Sequence, residues 1–169
     1  AALEWLHNQS GRNDSYSEQA FLRTLERENP EMLGELAAGA PSGELKWKLE
    51  QAAFRHLAEE NPAEALSQAR AAASPRLAAE RLAVVGRAMV EENPQGALDI
   101  FQELFKACPD PINHTIWTRY PNGASGSGGS INGVQEFING LVAWDPQAAM
   151  AAVTSQENSN IVKAISGAW

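Results

Sequence analysis

Three arginines recur at a fixed distance from a proline. Arg23, Arg55 and Arg87 each stand seven residues before Pro30, Pro62 and Pro94, at a spacing of 32 residues. A guanidinium holds a carboxylate through two parallel N–H···O bonds, so arginines at equivalent places of successive units would clamp an acidic peptide. The competing reading is structural. Glu28, Glu60 and Glu92 recur in the same segments, with Glu59 and Glu91 beside two of them. Exposed pairs with these carboxylates would tie neighbouring units together at ~0–1 kcal/mol each. The repeat alone admits both.

A second group lies between Cys108 and Ile131, where the repeat is broken by the stretch CPDPINHTIWTRYPNGASGSGGSI. Its front half carries Trp117, Arg119 and Tyr120, the residue types that dominate interface hot spots, and long loops on rigid scaffolds often carry binding function. Its back half is Gly/Ser-rich, the composition of a flexible segment. The bland alternative places Ile116 and Trp117 in a satellite cluster beneath the loop.

Other reactive side chains form no constellation. His7, His56 and His114 have no ligand spacing, and Cys108 has no partner for a disulfide or a zinc site. Cys108 reads as a small apolar residue at the end of a helix. Neither a Ser-His-Asp order, nor paired carboxylates, nor a phosphate-binding glycine loop is present. The sequence therefore predicts no catalytic residue, no metal and no cofactor. Trp47, Trp144 and Trp169 are expected to pack between repeats.

The charge balance narrows the partners. With 21 acidic against 13 basic side chains the formal charge is −8, the opposite of what phosphate neutralisation needs. Nucleic acid is excluded as the expected partner. No apolar run approaches the ~20 residues of a membrane span, so a soluble chain is expected. The first residues are Ala-Ala-Leu rather than Met, the start expected of a trimmed fragment or of a mature form that has lost a targeting segment. The compartment stays open between cytoplasmic and exported, and the oligomeric state is open as well.

The elements that would position these residues follow from the repeat. Residues 23–30 (RTLERENP), 55–62 (RHLAEENP) and 87–94 (RAMVEENP) superpose without a gap, and 139–146 (NGLVAWDP) is a looser fourth copy. Apolar columns recur with them at helical spacing. Five before each proline stand Leu25, Leu57, Met89 and Leu141; nine before, Phe21, Ala53, Val85 and Phe137. Three after stand Leu33, Ala65, Ala97 and Ala149; seven after, Ala37, Ala69, Phe101 and Val153.

Asn29, Asn61, Asn93 and Asp145 suit an N-cap. The prolines that follow suit the first helical position, where a missing N–H costs nothing, and they push the preceding residue out of the helical region. The spacing predicts helices over 16–28, 30–38, 44–59, 62–73, 76–91, 94–107, 131–143, 146–154 and 159–168. Residues 1–8 read as the end of a preceding helix. No strand pattern appears. Pairs this short bury their apolar faces only by stacking on their neighbours.

The stretch 86–111 (GRAMVEENPQGALDIFQELFKACPDP) resembles a tetratricopeptide repeat. Gly86 stands mid-way along the first helix, Ala97-Leu98 opens the second, Phe101 and Phe105 follow, and a proline closes it. The departures are a shorter period, an Asn-Pro corner, and Phe54 or Leu22 where Gly86 has its equivalents. HEAT-like pairs fit nearly as well.

The expected fold is all-α, a right-handed α-α superhelix or short α-solenoid of about four helix pairs with terminal capping helices. It forms one domain over 1–169, with repeats at about 16–43, 44–75, 76–107 and 131–156 and an inserted loop at 108–130. The resemblance implies a non-enzymatic scaffold that binds a protein or peptide, and the repeated column and the inserted segment give Arg23, Arg55, Arg87, Trp117, Arg119 and Tyr120 as the expected partner contacts. The alternatives are an enzyme-associated or catalytic helical-repeat domain using its groove and the 108–130 loop, and a structural piece of a larger array.

Overall fold

A computed structural model describes residues 15–109, 116–119, 125–128 and 133–154, with side chains over 20–109 and 133–152. The cores are all-helical, with eight helices among the described residues. They are α1 (Ser15–Glu28), α2 (Met32–Gly39), α3 (Glu44–Glu60), α4 (Pro62–Arg70), α5 (Pro75–Met89), α6 (Pro94–Ala107), α7 (Val134–Trp144) and α8 (Pro146–Thr154). The bounds fall within a few residues of those read from the repeat. The expected segments at 1–8 and 159–168 lie outside the described residues. No described helix is long and apolar enough to cross a membrane.

The polar-residue-plus-proline corners work as helix starts. Asn61 Oδ1 accepts from the Glu64 N–H at 3.2 Å and Asn93 Oδ1 from the Gly96 N–H at 3.0 Å, with Pro62 and Pro94 leading their helices. Asp145 accepts twice, from the N–H groups of Gln147 at 2.9 Å and Ala148 at 3.0 Å. Ser74 does the same for α5, accepting from the Leu77 N–H at 3.2 Å ahead of Pro75. Each cap satisfies a backbone donor that the helix leaves unpaired.

The first corner departs from the rest. Pro30 sits in a turn ahead of α2, where the Asn29 and Pro30 carbonyls accept from Met32 and Leu33 at 3.1 Å each. These are i→i+3 bonds of the tighter 3₁₀ kind. The N-cap is Glu31, which is helical in backbone and makes no side-chain cap bond.

The chain divides into two compact units where the sequence reading has one domain: Ala1–Leu57 with Tyr120–Ala124, and Ala58–Arg119 with Ser125–Trp169. In the first, α1 packs on α2, and one cluster gathers Leu22 and Leu25 of α1, Leu33, Leu36 and Ala37 of α2, and Leu45, Leu49 and Ala52 of α3, with Phe21 and Ala53 against it. Leu33 and Leu49 are wholly buried, which stabilises by roughly 1.5–3 kcal/mol for each leucine relative to exposure. The chain enters α3 through Gly43, whose φ of 152° is one that side chains rarely adopt.

In the second unit α5 packs against α4, α6 and α7, and α8 closes on α6 and α7. The columns three and seven places after the prolines contribute to the interior, apart from Val153, which lies outside the residues with described side chains. Ala65, Ala69, Ala97 and Phe101 are fully buried and Ala149 nearly so. The aromatic centre is a chain of edge-to-face rings, Phe105 on Phe101 at 4.7 Å and Phe101 on Phe137 at 5.4 Å, a favoured quadrupole arrangement.

Gly86 of α5 lies directly over Phe137. A Cβ at Gly86 would come within 2.2 Å of the Phe137 Cζ. Here glycine serves close approach.

The inserted segment contributes an element that hydrophobic periodicity did not list. Strands β1 (Ile116–Arg119) and β2 (Ser125–Gly128) pair antiparallel, with Ile116 opposite Gly128 and Arg119 opposite Ser125. Ile, Trp and Thr in succession favour extended backbone, and the intervening Pro121-Asn122-Gly123 is turn chemistry.

Candidate interaction surface

The arginine column holds its exposure but not a common set of partners. Arg23, Arg55 and Arg87 are all exposed, while Leu22, Phe54 and Gly86, one place before each, are buried. Helical geometry accounts for this. A residue next to the core-facing stripe is turned about 100° from it.

Arg55 Nη2 contacts Glu26 Oε1, a bridge from α3 to α1 in which the side chains are 47% and 31% exposed. The expected acidic partners were Glu28, Glu59 or Glu60. Glu26 lies 29 residues from Arg55, about one helical turn short of the repeat, an offset set by how α1 and α3 face each other. Arg87 has no counterpart to this bridge, because Ala58 stands where Glu26 does one repeat earlier and is buried. Among the described residues Arg23 and Arg87 make no ion pair.

Of the loop candidates, Trp117 and Arg119 lie on β1, with backbone described and side chains outside the described residues. Tyr120 lies outside them, as do His7, His114 and Trp169. His56 is half-buried in α3. Cys108 is buried at the end of α6, where its backbone N–H donates to the Leu104 carbonyl at 2.8 Å, the small apolar role expected of it.

Two tryptophans overturn their expectation of packing between repeats. Trp47 is 42% exposed and Trp144 44%. Leu45, Leu49 and Ala52 define the buried stripe of α3, and Trp47, two places after Leu45, points to the other side. Trp144 continues the Phe137–Leu141 stripe but is the last residue of α7.

The remaining charged contacts are scaffold. Arg70 at the end of α4 holds Glu103 of α6 with a two-pronged bond, Nε–Oε1 2.9 Å and Nη2–Oε2 2.8 Å. That hydrogen bonding keeps the Glu103 carboxyl below the ordinary carboxylate range, against a smaller opposing effect of burial, and raises Arg70. The two are 33 residues apart, the repeat plus one. Arg76 bonds the Glu80 carboxylate at 3.1 Å one turn along α5, and Glu80 is the only buried charged residue among the described ones. Arg81 donates to the Gln68 carbonyl at 3.3 Å and joins α5 to α4.

Among the described residues no three His, Cys, Asp or Glu side chains gather as a metal site. What the arrangement offers is a helical frame with exposed guanidinium groups at equivalent positions and two exposed indoles. Comparison with family models, with curated proteins and with solved structures finds no match.

Proposed function

We propose that this chain is a non-enzymatic binding scaffold whose helix pairs take an acidic segment of a protein partner. Its contacts are Arg23 and Arg55 in the first unit and Arg87 in the second, with Trp117, Arg119 and Tyr120 of the inserted segment as further contacts. One observation carries the reading. The same column is exposed arginine in three successive pairs, although the residue before each arginine is buried. Core packing demands nothing of an exposed column, and among the described residues ion pairing uses only Arg55 of the three. The tetratricopeptide resemblance, whose members are interaction scaffolds, supports the same function.

The test is binding of equal-length acidic, neutral and basic peptides to the full chain and to the Arg23→Ala/Arg55→Ala/Arg87→Ala variant, with melting followed in parallel. Acidic peptides should be retained selectively, with loss of about tenfold in the variant, since three exposed pairs at ~0.5 kcal/mol each sum to roughly that factor. A variant that binds equally, or one that loses most of its thermal stability with its binding, would return the column to a structural role.

A further inference from the structure

The first unit brings three charged side chains together on α1 and α3. Arg55 of α3 contacts the carboxylate of Glu26 on α1. Arg23 precedes Glu26 by three residues on the same helix, which sets their Cβ atoms about 5–6 Å apart on one face. Arg23 is exposed and has no ion pair among the described residues. The Glu26 place is filled by buried Ala58 in the next repeat, so this grouping belongs to the first pair alone.

We propose that Glu26 is a built-in competitor for the acidic partner. Its carboxylate occupies Arg55 until a carboxylate of the incoming segment displaces it, and a second carboxylate of that segment is taken by Arg23. The inference rests on the acidic-segment reading above and adds how that site is regulated.

Three physical points carry it. Exchange of one carboxylate for another at Arg55 conserves the charge-assisted bond, so displacement loses little. An ion pair this exposed is weak to begin with. A tethered side chain nonetheless acts at an effective concentration in the ~mM range, which a single acidic residue does not outcompete. A segment with two or more carboxylates does, because Arg23 is exposed and holds no carboxylate among the described residues while Glu26 is on Arg55. The device therefore selects for runs of acidic residues over isolated ones.

The test uses the full chain and fluorescein-labelled hexaglutamate, read by anisotropy at low salt, with circular dichroism on every variant. Glu26→Gln and Glu26→Ala should tighten binding about two- to five-fold, the displacement of one exposed pair. The tightening should vanish in an Arg55→Gln background. Glu50→Gln, which removes an exposed acid elsewhere on α3, should leave affinity unchanged.

If hexaglutamate binds the parent chain but neither Glu26 variant tightens it, or Glu50→Gln tightens it equally, the competitor role is overturned while the acidic-segment reading survives. If neither the parent nor the Glu26 variants bind the peptide, the underlying reading falls, and this inference with it.

Discussion

Gly86 and Gly34 are both helical glycines, and the structure assigns opposite signs to their replacement by alanine. Glycine inside a helix costs roughly 0.5–1 kcal/mol relative to alanine through backbone entropy, so propensity alone makes either change stabilising. At Gly34 nothing lies within 4 Å of the Cβ that would be added, and a gain of that size should appear. At Gly86 the new methyl would lie 2.2, 2.4 and 2.8 Å from three carbons of the Phe137 ring. Ordinary carbon contact is ~3.5–4 Å, so ring or helix must retreat by something on the order of 1 Å.

The ring has little freedom to retreat. Phe137 is fully buried and stands edge-on to Phe101 at 5.4 Å, which is itself edge-on to Phe105 at 4.7 Å. Overpacking a close-packed core costs typically 1–3 kcal/mol. Set against the propensity gain, Gly86→Ala should be destabilising by about 1–2 kcal/mol. For a chain of this length that corresponds to a fall of several degrees in Tm.

Urea unfolding followed by far-ultraviolet circular dichroism measures both variants, with an unchanged slope confirming that stability and not compactness moved. Phe137→Leu in the Gly86→Ala background should cost less than in the parent, because it relieves the clash. A Gly86→Ala chain as stable as the parent or more so, or additive double-variant energies, would refute the claim that close approach requires glycine here.

The other predictions concern caps and charges. Asn61→Ala and Asn93→Ala should each cost ~0.5–2 kcal/mol as their cap bonds are lost, with Asn29→Ala cheaper because the N-cap of α2 is Glu31; thermal melts of the three variants decide it. Glu103 has a lowered pKa in the folded state, so its contribution is present above the unfolded value of about 4.3 and is lost as pH falls through the folded value. Because the pair is largely exposed, an Arg70→Ala/Glu103→Ala cycle should give only ~0–1 kcal/mol at pH 7 and less in high salt. Arg76→Ala removes the ion partner of a carboxylate that is 6% exposed and should destabilise by about 1–3 kcal/mol. Adding Glu80→Met should recover much of that, since it also removes the buried charge; equal stability of the single variant and the parent in urea would contradict this.

The amino-acid sequence determined the helices, their ends and the larger part of the interior. Capping by Asn61, Asn93 and Asp145, the placement of Pro62, Pro94 and Pro146, and apolar periodicity act over a few residues of chain, so they read directly. The columns of Ala65 and Ala69 and their equivalents were legible for the same reason, multiplied by repetition.

Tertiary structure decided what lies between helices. It selected Glu26 for Arg55 and Glu103 for Arg70, because an offset of one turn between facing helices changes which charges meet. It set the tighter start of α2 behind Pro30, and it left Trp47 and Trp144 exposed where spacing alone placed them inside. It also gave Gly86 its reason, a phenyl ring on α7 that no local rule connects to α5. Local steric and hydrogen-bonding preferences write themselves into adjacent residues; the approach of two surfaces does not, and it is the approach of surfaces that assigns charges and rings their partners.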